Sequence, residues 1–539
     1  MIAVSNAWKV VQNQTLLPEM FVEIDYTITE PGLQDEAVAS GNYPESFSDE
    51  GQITNLTRGD SEAYSTLDYG CWGLDGRFSY FDGTPHNPGY VDKNYSQSDC
   101  LVAVSPYPKI TISFDTRHEV SIPGIVIAWS ETFGCWATDF RITVRNAGGI
   151  VSQKTVTGNK DIVSVVDMDI SDYSNITVEI IRWSHPYQRI RCSEIHLGVI
   201  NTYTKADLIG YDHNQAADLL SAALPENSVT FKLRNDDGRW NPANPSGFEQ
   251  YLMEQQKIHV RYGMDVNGTT EWIEGGTFWL SEWSTPSNGL EAVFTARDAV
   301  VFMNPIYLGI RSGTLYNIAV AALIEADIPT LDDGSVRYVV DESLKNYTTD
   351  FSAEDTEYTI SEVLQMVAHA GGCVFYQDRY GVVRIEPWVE RYSDYMIGQE
   401  VSYAHPEYSI SKPLKSVSVG YGDKQREEIQ VGSKGEIQTV DNEFIITRED
   451  ALRVGNVAKN ILKNRKVITG EFRADMRMDV LDCVIVGSKY SSNVIGVTEV
   501  SYSTTGGAFR GKYTGRVVSV DLEGEKIYSG EIYVGEVLQ

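Results

Sequence analysis

Lys109-Ile-Thr-Ile-Ser-Phe114, Gly124-Ile-Val-Ile-Ala-Trp129, Asp139-Phe-Arg-Ile-Thr-Val144, Ile162-Val-Ser-Val-Val166 and Ile176-Thr-Val-Glu-Ile-Ile181 are short apolar runs separated by turn residues. A further run, Arg189-Ile-Arg-Cys-Ser-Glu-Ile-His-Leu197, closes the series. They are rich in β-branched side chains, which suit a pleated, half-buried surface, and no long helical period interrupts them. Strands at this spacing predict a β-sandwich. N-terminal to the series, Phe21-Val-Glu-Ile-Asp-Tyr-Thr-Ile28 alternates cleanly and ends at the turn Pro31-Gly32. A polar stretch and an aromatic-dense segment, Tyr64 to Tyr95, lie between.

C-terminal to the series, Ala216, Leu219, Leu220 and Ala223 stand at helical spacing before Pro225, so residues 203–224 read as helical. Strands resume at Val229-Thr-Phe-Lys-Leu233 and at 257–263, 277–283 and 290–296, as in a small barrel. Leu315, Ile318, Ala319, Ala322 and Leu323 form one helical face. Ser361 is the expected cap of a second helix that ends at Gly371-Gly372 and runs into a hairpin turning at Asp378-Arg-Tyr-Gly381. Strands are expected at 414–421, 426–431 and 436–440, followed by a helix capped by Thr447 and further hairpins. The predicted fold class is mainly β with a smaller α+β part. Residues 1–30 hold the first strand or strands of an N-terminal barrel and 31–200 an inserted sandwich. Residues 201–310 complete that barrel, 311–412 form an α+β domain, and 413–539 a second barrel with one helix.

A chain of 539 residues is too long for one core and divides into several units. Its 44 basic and 75 acidic residues give a net charge of −31, a field that repels nucleic-acid phosphate and anionic membrane surfaces. The acids are spread along the chain, which fits either a solubilised surface or a channel wall past which DNA slides. No apolar run of spanning or signal-peptide length is present, so synthesis in the cytoplasm and no membrane-spanning segment are expected. The six cysteines, Cys71, Cys100, Cys135, Cys192, Cys373 and Cys483, are widely spaced and read as buried thiols.

Motifs for catalysis are missing. None of the eight histidines makes an HExxH pair, and neither a GxSxG elbow nor a P-loop occurs. Asp236-Asp237-Gly238 and Asp332-Asp333-Gly334 lack the alternating ligands of a calcium loop and read as turns. No enzymatic activity, metal or cofactor is expected. The candidate site is a set of three aromatics, Trp129, Phe133 and Trp136, around an apparent loop. Exposed rings at a sandwich tip stack on sugar faces. The same rings would equally plug the sandwich or meet a neighbouring subunit.

Residues 108–200 resemble a discoidin-type jelly roll, through Ile110-Thr-Ile-Ser-Phe114, Ile125-Val-Ile-Ala-Trp129, Ala137-Thr-Asp-Phe-Arg-Ile142 and the closing run to Leu197. Most members of that family bind glycans or lipid headgroups through loops at one end. The chain as a whole resembles the tail-hub (baseplate hub, tail-tip) proteins of Firmicutes siphophages and prophages. Trp72-Gly-Leu-Asp-Gly-Arg77, Val229-Thr-Phe-Lys-Leu-Arg-Asn-Asp-Asp-Gly-Arg-Trp-Asn-Pro-Ala-Asn-Pro245, Gly275-Gly-Thr-Phe-Trp-Leu280 and Phe294-Thr-Ala-Arg-Asp298 carry that resemblance. The helix–hairpin at 361–388 and the hairpin Tyr502-Ser-Thr-Thr-Gly-Gly-Ala-Phe509 are similar to the hub fold shared with contractile-tail baseplates. One departure is Arg473-Ala-Asp-Met-Arg-Met-Asp-Val-Leu-Asp482, where that family has a Gly-Asp-Pro turn.

The resemblance implies a homotrimer at the virion tail tip, its two hub-type barrels per subunit approximating a sixfold ring. It also implies contacts with a distal tail protein, a tape-measure protein and a receptor-binding protein, and part of a DNA-passage channel without sequence-specific nucleic-acid binding. Two alternatives stay open. One is an adhesin whose sandwich recognises cell-wall glycan, the other a tail-associated hydrolase.

Overall fold

The structure is a computed structural model. It describes residues 1–14, 19–41, 51–54, 65–66, 107–129, 131, 134–185, 190–241, 243–244, 247–248, 251–286, 289–331, 335–350, 357–422, 426–433, 436–488, 492–505 and 508–518, with short strands at 521–522, 525–526 and 531–532. Phe133, the Trp72–Arg77 segment, Cys71, Cys100 and Asp332-Asp333-Gly334 lie outside the described residues.

The strand Met20–Ile28 follows its sequence alternation, with Met20, Val22, Ile24, Tyr26 and Ile28 buried. It pairs on one side with Lys257–Val266 and on the other with Val199–Tyr203, in the register Ile28↔Val199. The chain therefore leaves the sheet after Ile28 and returns beside the same residue, and what lies between is an insertion. Its strands form two sheets. One runs Val38–Gly41, Lys109–His118, Tyr173–Trp183, Ala137–Asn146, Gly149–Val156, and the other Ser65–Thr66, Arg191–Leu197, Ile122–Trp129, Val163–Ile170. Ile112, Ile125, Phe140, Val178 and Ile195 fill the space between them. Each such side chain stabilises the fold by about 1.5–3 kcal/mol relative to exposure.

The joint is tight. The Gly198 N–H donates to the Gly124 carbonyl at 2.8 Å. A Cβ on Gly198 (φ +103) would stand 2.3 Å from the Ile28 carbonyl oxygen, so only glycine fits. Nearby, His118 of the sandwich sits between Glu30 and Glu36, at 3.2 and 3.4 Å.

Among the described residues the largest sheet contains 14 strands. Its main path runs from Val199–Tyr203 through Met20–Ile28, Lys257–Val266, Thr269–Ser284, Glu291–Arg297, Glu226–Arg234 and Leu208–Ala216. It continues through Ser492–Thr505, Ala508–Val517 and Lys466–Arg473 to Glu407–Ile410. Asp482–Gly487 branches from Ser492–Thr505 and carries Arg391–Ile397 in parallel. Two barrels expected as separate bodies thus share one sheet and one core, joined where Tyr211 faces Thr504 and Ala216 faces Glu499. The helical reading of 203–224 is corrected at this joint. Residues 208–216 form a strand whose buried face, Tyr211, His213 and Gln215, is polar enough to hide its alternation.

The smaller part packs the helices Leu315–Glu325 and Ile360–Gly371 on the sheet Tyr338–Val340, Val383–Pro387, Cys373–Gln377. Thr359, not Ser361, caps the second helix, in a capping box with Glu362, and Gly372 ends it in the left-handed conformation. The expected division near residue 412 is not where the fold divides. Val417, Val419 and Val440 and the helix Arg448–Leu462 join the core of the α+β part. Arg391–Ile397 and Glu407–Ile410, expected inside the α+β domain, belong to the large sheet. The architecture is mainly β with several sheets and few helices.

Candidate functional site

The sandwich tip is built from strand ends. Trp129 closes Ile122–Trp129 on the same face as Ile125 and Ile127, and it is 1 % exposed. Its indole N–H donates to Ser164 Oγ at 2.9 Å, and its ring meets Phe140 and Trp183 edge-on, each at 5.6 Å. It is a wall of the core and offers no stacking face. The unbroken apolar run Ile125-Val-Ile-Ala-Trp129, buried on both faces, carried that signal.

Trp136 is half-buried. Its indole N–H donates to the Asn159 carbonyl at 3.0 Å, its backbone N–H to Ser184 Oγ at 2.9 Å, and its ring stands edge-on to His185 at 5.8 Å. Ser184 Oγ lies 2.9 Å from His185 Nδ1. The Asn159 amide donates to the Ala137 carbonyl and to Ser164 Oγ, both at 2.8 Å, which holds the loop that carries it. Trp136 and Trp129 therefore do not share a surface. The tip presents Trp136 with His185 and Ser184, neither of which belongs to a motif visible in sequence.

A second cluster lies inside the large sheet. Arg379, at the turn of the hairpin 373–387, is 2 % exposed and sits between the rings of Tyr262 and Tyr502, at 5.9 and 5.8 Å. Its terminal nitrogens donate to the carbonyls of Met476 and Met478, and Asp479 lies 3.6 Å from Nε. Tyr502 Oη donates to the carbonyls of Asp475 and Met478 at 3.0 and 2.6 Å. Tyr262 Oη contacts Tyr211 Oη at 2.7 Å and His213 Nδ1 at 2.6 Å, and His213 Nε2 faces Asn227 Oδ1 at 2.9 Å. An amide oxygen only accepts, so Nε2 carries the hydrogen and Nδ1 accepts from Tyr262. Burial, assisted by the Arg379 charge, lowers the His213 pKa to about 3, so the ring is neutral. The cluster ties the first half-sheet, the second half-sheet and the hairpin together. The 473–482 segment is what receives Arg379.

Among the described residues no group of three or more His, Cys, Asp and Glu is placed to hold a metal ion, and no helix is long and apolar enough to cross a membrane. Cys192, Cys373 and Cys483 are buried thiols outside any disulfide, and Cys135 is buried as well. On the solvent face of the central strands, Asp212, Glu226, Glu291 and Glu499 alternate with Lys232, Arg297, Arg510 and Lys512, so the acidity of the chain is not concentrated there.

The solved structures that this chain is similar to include phage tail proteins. One is the 43 kDa tail protein of prophage MuSo2 from Shewanella oneidensis, at 12 % identity and TM-score 0.41, covering 58 % of this chain and 95 % of that one. Prophage tail protein gp18 from Listeria monocytogenes EGD-e is 11 % identical with TM-score 0.36, over 59 % and 91 % of the two chains. A family 32 carbohydrate-binding module of NanJ from C. perfringens, solved with galactose, is 17 % identical with TM-score 0.19, over 32 % of this chain and 98 % of that one. No family model and no curated protein matches this chain.

Proposed function

We propose that this chain is a structural hub protein of a bacteriophage or phage-derived tail tip. It would assemble as a homotrimer, join the tail tube to the host-recognition apparatus and contribute to the channel through which DNA leaves. The observation that carries this reading is the continuity of the large sheet across two half-sheets from distant parts of the chain, with a module inserted at one strand junction. A sheet with a single shared core is stiff, and the insertion at Ile28/Val199 carries a second body without interrupting it. The test is to raise antibody to the purified protein and locate it on particles by immunogold electron microscopy. Label at the distal tail end supports the reading, and label elsewhere or none on assembled tails overturns it.

A second reading concerns the sandwich alone. Trp136 beside His185 is an apolar ring next to polar donors, the combination that recognises a sugar face and its hydroxyls. In this reading the insertion binds cell-wall glycan. Trp136→Ala would then weaken adsorption to cells while particles still assemble, whereas failed assembly with unchanged adsorption would favour a purely structural role.

A further inference from the structure

The large sheet ends at Glu407–Ile410, and among the described residues this strand is paired only on the side of Lys466–Arg473. Its register is Glu407↔Thr469, Tyr408↔Ile468, Ser409↔Val467 and Ile410↔Lys466. Just beyond it, the Ser411 N–H donates to the Arg465 carbonyl at 3.0 Å. In an antiparallel ladder that places the N–H groups of Ser409 and Glu407 on the inner side, so those of Tyr408 and Ile410 point out of the sheet edge.

The side chains are equally unfinished. Ile468, opposite Tyr408, is wholly buried in the main core, so Tyr408 and Ile410 stand on the core-facing side of the sheet. Yet Tyr408 is 42 % exposed and Ile410 59 %. A terminal strand with an open ladder and uncovered core-facing side chains is a template for another strand.

The charge around this edge opposes that of the chain. Arg465 Nε donates to the Ser411 carbonyl at 2.7 Å, which holds Ser411 beside Arg465 at the end of the ladder. The stretches 411–415 and 459–466 carry Lys412, Lys415, Lys459, Lys463, Arg465 and Lys466, against Glu407 on the strand itself and Glu390 beside Lys463, so the flank is net basic in a chain of net charge −31.

We infer that this edge is an assembly surface that takes up a strand from a second copy of the chain, and that the contact is heterologous. The copy's overall acidity complements the basic flank. A two-fold arrangement, edge against identical edge, would press the two basic flanks together, so the edge meets a different, acidic surface of the next copy. Head-to-tail contacts of that kind make rings of more than two subunits where the rotation closes and open filaments where it does not, and the trimer reading requires closure. The inference rests on the assembly reading above and adds to it the surface that is used.

The test is sedimentation velocity on the full chain at several concentrations, in low salt and in 0.5 M NaCl. It compares the wild type with Ile410→Pro, which removes an outward N–H but no inner ladder bond, and with the triple change Lys463→Glu, Arg465→Glu and Lys466→Glu. Circular dichroism and melting curves check that each variant is folded. The expected wild type is a closed species of more than two copies that loosens in salt, with both variants shifted to monomer. A monomeric wild type, a two-fold dimer, or a ring indifferent to both variants would overturn the inference. So would variants that assemble normally but lose retention of duplex DNA, since the flank would then serve phosphate. Immunogold label at the tail tip together with an indifferent ring would sink this inference alone. Absence of label would sink the functional reading instead.

Discussion

Arg379 donates from its guanidinium to the main-chain carbonyl of Met478, 99 residues further along the chain, from inside the core of the large sheet. The contact also reaches Met476 and the rings of Tyr262 and Tyr502, so one side chain fastens three parts of the fold. Removing it takes the donor from the Met476 carbonyl, one of two donors from the Met478 carbonyl, and the charge partner from Asp479. Arg379→Ala is expected to cost about 3–5 kcal/mol. Arg379→Lys keeps the charge but not the fork of donors, and should recover only part of that. Denaturant unfolding followed by tryptophan fluorescence checks both, and equal losses for the two variants would show that the fork is irrelevant.

Acid stability divides between two buried groups of opposite sign. His213 has a folded pKa of about 3 against about 6.5 unfolded, set first by burial and then by Arg379. Its contribution is whole above pH 6.5 and is lost as the pH falls from there towards 3. Burial instead raises the Asp298 carboxyl to about 7, against the pull of its hydrogen bond from the Val300 N–H. Its charged form burdens the fold above pH 7, and that burden lifts as the pH falls towards 3.8. The two oppose each other between about pH 4 and 6.5. Asp298→Asn, which retains a capping oxygen, should therefore lose melting temperature more steeply on acidification than the wild type, and His213→Gln less steeply. Parallel curves for all three proteins would contradict the assignment.

The two tip tryptophans should separate cleanly. Trp129→Ala empties a packed position and is expected to cost about 3–5 kcal/mol. Trp136→Ala, at a half-buried site, should cost about 1 kcal/mol or less. Thermal melting of both variants gives the comparison, and only Trp136→Ala is then suited to a binding assay with cells.

The joint between sandwich and sheet admits no side chain at Gly198. Gly198→Ala would bring a methyl group to 2.3 Å from the Ile28 carbonyl and 2.6 Å from Thr29 Cβ. A loss of at least about 2 kcal/mol is expected, together with faster proteolysis near residues 28–32 and 197–199. A variant as stable and protease-resistant as the wild type would mean that the joint yields easily.

Local pattern alone determined a good deal of this protein. The alternation of Met20–Ile28, the strand series of the sandwich, the hairpin at 373–387 and the helix capped by Thr447 were all legible, because a buried face imposes its period on the residues that make it. Tertiary structure decided the rest. Strand 208–216 escaped notice because its inward residues are Tyr211, His213 and Gln215, and His213 and Tyr211 are acceptable there only once Tyr262 and Asn227 satisfy them. That 208–216 pairs with 492–505, fusing two expected barrels, depends on which edges meet, and periodicity is silent about partners. Trp129 looked like a tip residue until the facing sheet covered it, and Arg379 like a turn residue until the 473–482 segment closed around it. A single strand encodes which of its faces is apolar. What covers that face, and what satisfies a polar group within it, is set by residues hundreds of positions away.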